Sequence, residues 1–455
     1  MPYLKHSGRM ETARSIGHVP LVENELIQSK LASYRFPAPT PGQGLNPDLL
    51  VISSNLPAPT TTARWAMAFD GSPQEVPARE EYPCTRVGYL QIAGVLVHLE
   101  EMLGQATNSL VDPTVVRDSF QEALHSIVLP GSNVCRPDMP TVRDSWRAEV
   151  FEIFRDYRVE DLSFLDTFRV LINHSDKRST TGGVIVARCP NDTTCNSTNI
   201  DVPFSGGSCP SCSTRVFPTD SLRVHEEVSE QHGNETALGR LMTVLEQVTM
   251  ASYLLFLSRR RPEVLGQVAL ILDGPLAIFG PQAWLRMAFR EFINAIYADL
   301  SSRSLNLPVI VGVEKTGQFA DHANSLAHIM PAGGLLTLPE SYINDRILAS
   351  RPPTGSYYGR DTYYGQKFIY KTRQDKILVI TIPKTSVYVS NPHDPVHYPI
   401  LSATLNLLDR IGTSLYENAI IPVALAHSFA SIPLRTGSRV LTLMSREILG
   451  SSNTP

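Results

Sequence analysis

Two stretches of this sequence place an aspartate where an apolar run stops. In WAMAFDGSPQE (residues 65–75) the run reaches Asp70 and is followed by Gly71 and Ser72. In QVALILDGPLAIFG (residues 267–280) it reaches Asp273, followed by Gly274 and Pro275. Asp-Gly also starts surface turns, and each fragment alone fits that reading. An ionised carboxylate at the edge of a core is costly unless it is paired or binds a metal. Two such strand tips side by side repel each other, and a divalent cation removes that repulsion.

Two further residues fit the same chemistry. Glu246 has Met242 four positions before it and Met250 four after, so its helical stripe is partly apolar. That suits a third metal ligand and equally an amphipathic boundary. His427 lies in IIPVALAHSFASIPL, surrounded by apolar residues. It reads as a hydrogen-bonded core histidine or, beside two carboxylates, as a phosphate-side ligand or proton donor. An oxygen-rich set of this kind prefers Mg²⁺ or Mn²⁺, the latter tolerating an imidazole. Two such ions about 4 Å apart stabilise the attacking and leaving oxygens of an in-line displacement at phosphorus.

Cys189 and Cys195 flank PNDTT, and Cys209 and Cys212 flank PS. Four thiols at this spacing in a cytosolic chain suit structural zinc over disulfides, although the first pair is wider than a knuckle. A zinc deaminase needs H-x-E before P-C-x-x-C, whereas His225-Glu226 follows CPSC here. Cys84 and Cys135 stand alone. YYGRDTYYGQKFIYKTRQDK interleaves tyrosines with Arg360, Lys367, Lys371 and Arg373. Basic groups track phosphates while aromatic faces stack on bases, so Arg360, Lys367 and Tyr364 are candidate DNA contacts. A sheet hairpin explains the same pattern, because KFIYKT also reads as a strand.

These residues need elements to position them. Strands are expected at WAMAF, VGYLQIAGVLV, QVALILD, LPVIVGVEK, KFIYKT and KILVITIP. Helices are expected at VENELIQSKLASY, over 236–258, at WLRMAFREFINAIYADL, at ILSATLNLLDRIGTSLYE and at GSRVLTLMSREIL, with NAIIPVALAHSFASIP a short segment between the last two. Residues 113–166 read as helical, with amphipathic runs in VVRDSFQEALHSIV and DSWRAEVFEIFRDYR. Strands and helices mixed in this order predict an α/β domain with a mixed sheet. Residues 1–64 read as an extended arm, 113–180 as a helical insertion and 185–217 as a zinc-ribbon-like insertion in a domain spanning 65–455.

AFDGS, TVLEQV, ILDGPLAIFG, VGVEKTG, YGRDTYYG and ALAHSFASIPL together resemble the NurA-type nucleases, over 65–455. The cysteine segment and TDSLRVHE make the chain most similar to the long bacterial branch. The resemblance implies a ribonuclease H-like, PIWI-like mixed sheet flanked by helices, and a metal-dependent DNA nuclease that uses Mn²⁺ or Mg²⁺. It implies a homodimer working with a hexameric HerA-type ATPase in DNA end processing or anti-phage defence. It assigns the catalytic, metal-holding roles to Asp70, Glu246, Asp273 and His427, with Lys315 of VGVEKTG contacting phosphate or orienting water. Lys315 also reads as a solvated strand-end lysine. The separation of Glu246 from Asp273 is longer than in archaeal members, RRRPEVLG supplying the extra length.

Composition sets the outer bounds. The 455 residues are 42% hydrophobic and 18% charged, enough for a sizeable core. The start lacks a signal-peptide run and no stretch reaches about 18 uninterrupted apolar residues, so a cytoplasmic protein without a membrane span is expected. The net charge of −4 argues against generic polyanion binding. It divides unevenly: residues 346–455 hold 12 Lys and Arg against 6 Asp and Glu, a net of +6, which leaves −10 for residues 1–345. That quarter is a candidate basic face, or simply uneven surface charge. No G-x-x-x-x-G-K-[ST] occurs, so an ATP-driven motor would be a separate protein. The competing reading is a non-catalytic, zinc-stabilised DNA-binding adaptor of the same ATPase.

Overall fold

The computed structural model describes residues 19–35, 45–79, 81–104, 120–191, 193–349, 357–384, 391–412, 420–432 and 440–445. Its centre is a nine-stranded mixed sheet. The strands are β1 (Leu50–Ile52), β2 (Trp65–Pro77), β3 (Arg86–His98), β4 (Phe120–Pro130), β5 (Val268–Asp273), β6 (Val309–Glu314), β7 (Gly334–Thr337), β8 (Gly365–Lys371) and β9 (Ile377–Pro383). Their spatial order is β1-β7-β8-β9-β6-β5-β2-β3-β4. β5 runs parallel to both β2 and β6, and every other pair is antiparallel.

The expected strands all form. β5, β6 and β9 carry the near-continuous apolar runs of strands covered on both faces, and β8 is buried along its whole length despite its Gln and Lys residues. Period-two alternation divides each strand between two cores. Met67, Phe69, Leu270 and Leu272 face one core, and Ala66, Ala68, Ala269 and Ile271 face the other. The first core is covered by helices α1 (Val142–Asp156), α2 (Phe164–Asn173), α3 (Glu235–Arg260) and α4 (Leu285–Ser302). The second is covered by α5 (Leu401–Ile411) and α6 (Ile421–Ala430). The segment IIPVALAHSFA is therefore a helix, entered through Pro422 in its first turn. α3 is long and apolar enough to cross a membrane, and here it is the central helix of the first core.

Two expectations change. Residues 113–166 are not helical throughout: Phe120–Pro130 is a strand pairing with β3, and VVRDS lies outside the described residues. The cause is visible in its exposure. Ile127 and Leu129 are buried while Leu124 and Val128 are exposed, so apolar residues on both faces imitate helical three-and-four spacing. Within residues 1–64, the expected helix in VENELIQSKLASY forms at Glu25–Ser33, and the change is that β1 joins the sheet, pairing with β7 at its edge.

The cysteine segment folds as two small hairpins, Val184–Arg188 with Thr198–Val202 and Gly207–Ser208 with Arg215–Val216. It shares the first core, where Val184, Val186 and Cys189 pack in the same cluster as Phe164, Phe168 and Leu238. Arg147 of α1 and Asp220 form a buried two-bond pair (3.0 and 2.8 Å) that fastens α1 to the turn after the second hairpin.

Candidate active site

Asp70 does not end its strand. β2 continues to Pro77 alongside β3, but its pairing with β5 stops at Phe69 opposite Leu272. Asp70 and Asp273 are each one step beyond that last pair, so the two carboxylates share one tip. Both follow residues of the second core in alternation (Ala66 and Ala68; Ala269 and Ile271) and so project from that face. α6 packs on this face and delivers His427, whose Nδ1 lies 2.8 Å from Asp70 Oδ2. Lys315 follows β6 on the same side, and its Nζ donates to Asp273 Oδ2 at 2.8 Å.

Glu246 arrives from the opposite core on α3. Its route is opened by Gly71, which faces that helix: a Cβ there would sit 2.6 Å from Met242 Cγ and 2.8 Å from Glu246 Oε1. The glycine after Asp70 is thus required by close approach of a helix, and no turn is made. Gln247, next to Glu246, donates through Nε2 to the Ala277 carbonyl at 2.8 Å and ties α3 to the segment leaving β5. Asp70, Glu246, Asp273, Lys315 and His427 all line one cavity of about 830 Å³.

The electrostatics of this cavity are those of crowded carboxylates. Glu246 is buried; burial first, then Asp70 and Asp273, hold its carboxyl well above the usual range, against a hydrogen bond from the Gly71 N–H. Burial and then Asp273 also raise Asp70, although His427 and the Gly71 N–H (2.9 Å) pull the other way. Lys315 is the one ammonium among the described residues that bonds to these carboxylates. One ligand atom from each of Asp70, Asp273 and His427 falls within 4.8 Å of the others. Hard oxygen donors with one imidazole fit Mg²⁺ or Mn²⁺, and a divalent charge would let all three carboxylates ionise.

No family model and no curated protein matches the chain. Among solved structures, it is similar to the NurA nuclease from Sulfolobus solfataricus, with 11% identity and a TM-score of 0.34, covering 98% of this chain and all of that one. It is also similar to a second NurA structure, with 10% identity and a TM-score of 0.27, covering 88% of this chain and 90% of that one.

The candidate DNA contacts divide. Arg360 is exposed on a turn. Lys367 is instead buried: its Nζ pairs with Glu314 at 2.8 Å and lies 3.6 Å from the centre of the Phe319 ring. Tyr364 is likewise core, fully buried and stacked on Phe289 at 5.3 Å. Both sit on β8 or at its edge, a strand covered on both faces, so the hairpin reading of this segment prevails. The basic quarter is also partly consumed internally. Lys371 donates to the carbonyls of Ala327 and Met330, and Arg373 pairs with Asp409 at 3.3 Å.

Glu314 was not singled out from sequence, yet it lines the same cavity as Asp273. Its Oε2 takes the Lys367 bond while its buried Oε1 has no partner among the described residues. Alternation along β6 puts it opposite Lys315, which drew the attention. Away from this cavity, the sulfurs of Cys189, Cys195, Cys209 and Cys212 gather within 4.8 Å, with Cys189–Cys212 at 3.6 Å and Cys195–Cys209 at 3.7 Å. These separations exceed a disulfide by more than 1 Å. They match the edge of a tetrahedron with arms of about 2.3 Å, the length of a zinc–thiolate bond.

Proposed function

We propose that this protein is a metal-dependent DNA nuclease that hydrolyses phosphodiester bonds by a two-metal mechanism. The observation that carries the reading is the convergence of Asp70, Asp273 and His427, with buried Glu246 behind them, at one sheet tip. The five strands β4-β3-β2-β5-β6, antiparallel and then parallel, support a ribonuclease H-like core whose central tip holds the site.

Asp70 and Asp273 would hold Mn²⁺ or Mg²⁺ from the strand tip, with Glu246 from the helix side and His427 from the rim. When bound, the ions supply charge neutralisation and a water acidic enough to attack phosphorus. His427 has Nδ1 held by Asp70 and is 64% exposed, so Nε2 is the nitrogen left for an ion at the rim or, where the carboxylates alone hold the ions, for a phosphate or leaving oxygen. Lys315 places its Nζ 2.8 Å from Asp273 and is suited to a non-bridging phosphate oxygen. Arg360, exposed on its turn, is the proposed cation for the strand. The four-cysteine cluster would hold one structural Zn²⁺. A homodimer, a HerA-type hexameric ATPase that feeds DNA, a cytoplasmic setting and a role in end processing or anti-phage defence complete the proposal.

The test is cleavage of single- and double-stranded DNA with Mn²⁺, Mg²⁺ or neither, with and without the ATPase. Asp70→Ala and Asp273→Ala should each remove cleavage while leaving the circular dichroism spectrum unchanged. Losing about 4 kcal/mol of transition-state charge stabilisation corresponds to about 10³-fold in rate. Undiminished cleavage by Asp273→Ala refutes the site. A complex with the ATPase that never cleaves with any divalent ion refutes the nuclease and leaves a non-catalytic adaptor.

A further inference from the structure

A second cavity, of about 680 Å³, shares the Tyr363 side chain with the first as part of its wall. Its lining is cationic. Arg286 and Arg290 come from one face of α4, four residues apart, and Lys384 follows β9. Like charges at that helical spacing repel, and the third cation adds to the cost.

Little in the fold neutralises them. Arg290 pairs with its sequence neighbour Glu291 at 2.9 Å. Arg286 donates to the carbonyls of Arg360 and Ala283 and reaches Asp361 only at 3.4 Å, where the carboxylate is mostly in solvent. No carboxylate among the described residues lies within ion-pairing distance of Lys384. Burial, then Arg290 and Arg286, push the Lys384 ammonium down to about 8. Glu340 is the one carboxylate on the wall among the described residues and offsets part of that push on Lys384, while its Oε1 accepts from the Tyr358 N–H (2.8 Å) and the Asn344 amide (3.1 Å). Three crowded cations on a concave wall lower their energy by taking up an anion, and arginine forks match phosphate oxygens in pairs. Tyr357, Tyr358 and Tyr398 supply aromatic walls, of which Tyr357 is 59% exposed and offers a face to a base.

We propose that this cavity binds the phosphate of a nucleotide through Arg286, Arg290 and Lys384, with the base against the tyrosine wall. The nucleotide is the end of a DNA strand lying next to the cavity where it is cut, or a nucleotide released there. That placement rests on the nuclease reading; the phosphate site itself does not.

Titration calorimetry of the full chain, without added Mn²⁺ or Mg²⁺, tests it with inorganic phosphate, deoxyadenosine monophosphate, deoxyadenosine and a short oligonucleotide with a 5′-phosphate or a 5′-hydroxyl. The monophosphate should bind at least about tenfold more tightly than the nucleoside, the effect of one charge-assisted contact set. Lys384→Gln and Arg290→Gln, each checked for native circular dichroism, should lose about tenfold, and Arg303→Gln, at the far end of α4, should lose nothing. A 5′-phosphate oligonucleotide binding more tightly than the monophosphate makes the strand end the source, and the reverse makes it the released nucleotide. Equal binding of nucleoside and monophosphate overturns the site, as does parental affinity in both folded variants. Equal binding of inorganic phosphate and monophosphate overturns the nucleotide assignment. Phosphate binding in a protein that never cleaves DNA would reject the nuclease while leaving this site in place.

Discussion

Glu246 is the residue on which the proposed metal site bears most directly. It is buried with two other carboxylates for neighbours, and its carboxyl is held well above the ordinary range by burial, Asp70 and Asp273. A carboxyl raised in the folded state binds its proton at pH values where the unfolded chain has lost it, so stability falls as pH rises above the ordinary glutamate range of about 4.3. Metal-free protein should therefore lose thermal stability from about pH 4.5 upward. Mn²⁺ should restore it by neutralising the ionised form. Glu246→Gln should flatten the pH dependence and weaken the response to Mn²⁺. Melting temperatures against pH, with and without Mn²⁺, measure all three; a metal response undiminished in Glu246→Gln would remove Glu246 from the site. The aspartates were readable from sequence because an apolar run stopping at a carboxylate is rare in a pattern otherwise driven by burial. Glu314 was not, because its neighbour Lys315 has the more obvious chemistry and only the alternation of β6 separates their faces. Tyr364 and Lys367 misled for the opposite reason. Aromatic and basic residues interleaved on a strand serve stacking on DNA and packing in a core equally well, and only the sheet order decides.

At the level of elements, the site depends on how closely α3 approaches β2. The first Asp-Gly is not a turn, and the glycine is there because the helix leaves no room for a methyl group: Met242, Glu246 and Ile92 would all lie within 3.0 Å of it. Gly71→Ala should destabilise the fold by about 1–3 kcal/mol, the usual cost of overpacking, as read by urea unfolding. It should reduce cleavage by more than that loss explains, because the displaced atoms include the Glu246 carboxylate. A variant of parental stability and activity would show that α3 has slack at this point. Most elements were legible because β5 and β6 are short near-continuous apolar runs, α3 is a long apolar stretch without proline, and α4 repeats apolar residues at helical spacing. β4 was not. Its exposed Leu124 and Val128 fall four apart on the face away from the core, and with Ile127 they trace the spacing of a helix. The Asp70 strand was shortened in the reading because polar Asp, Gly and Ser interrupt its apolar run, whereas β3 pairs with it through to Pro77.

Across the whole molecule, the first core joins the cysteine hairpins to the helix that carries Glu246. Cys189, Cys195 and Cys209 belong to the same buried cluster as Leu238, Leu241 and Leu245 of α3. Four thiols so close together tolerate at most partial ionisation on their own, and a zinc ion converts that crowding into four bonds. A zinc ion bound by all four cysteines would stabilise the half of the molecule that frames the site and would leave no position open to substrate. The protein should carry one zinc per chain by elemental analysis. Cys209→Ser should release it and lower the unfolding midpoint, and α3 amides should lose hydrogen-exchange protection along with the hairpins, because their packing is continuous. Cleavage should fall in parallel with the folded fraction, and excess Mn²⁺ should not rescue it, since manganese favours oxygen ligands over thiolates. If exchange rises only within 184–216 while α3 stays protected, the hairpins are an independent module and the shared core does not couple the cysteine cluster to the carboxylate cavity.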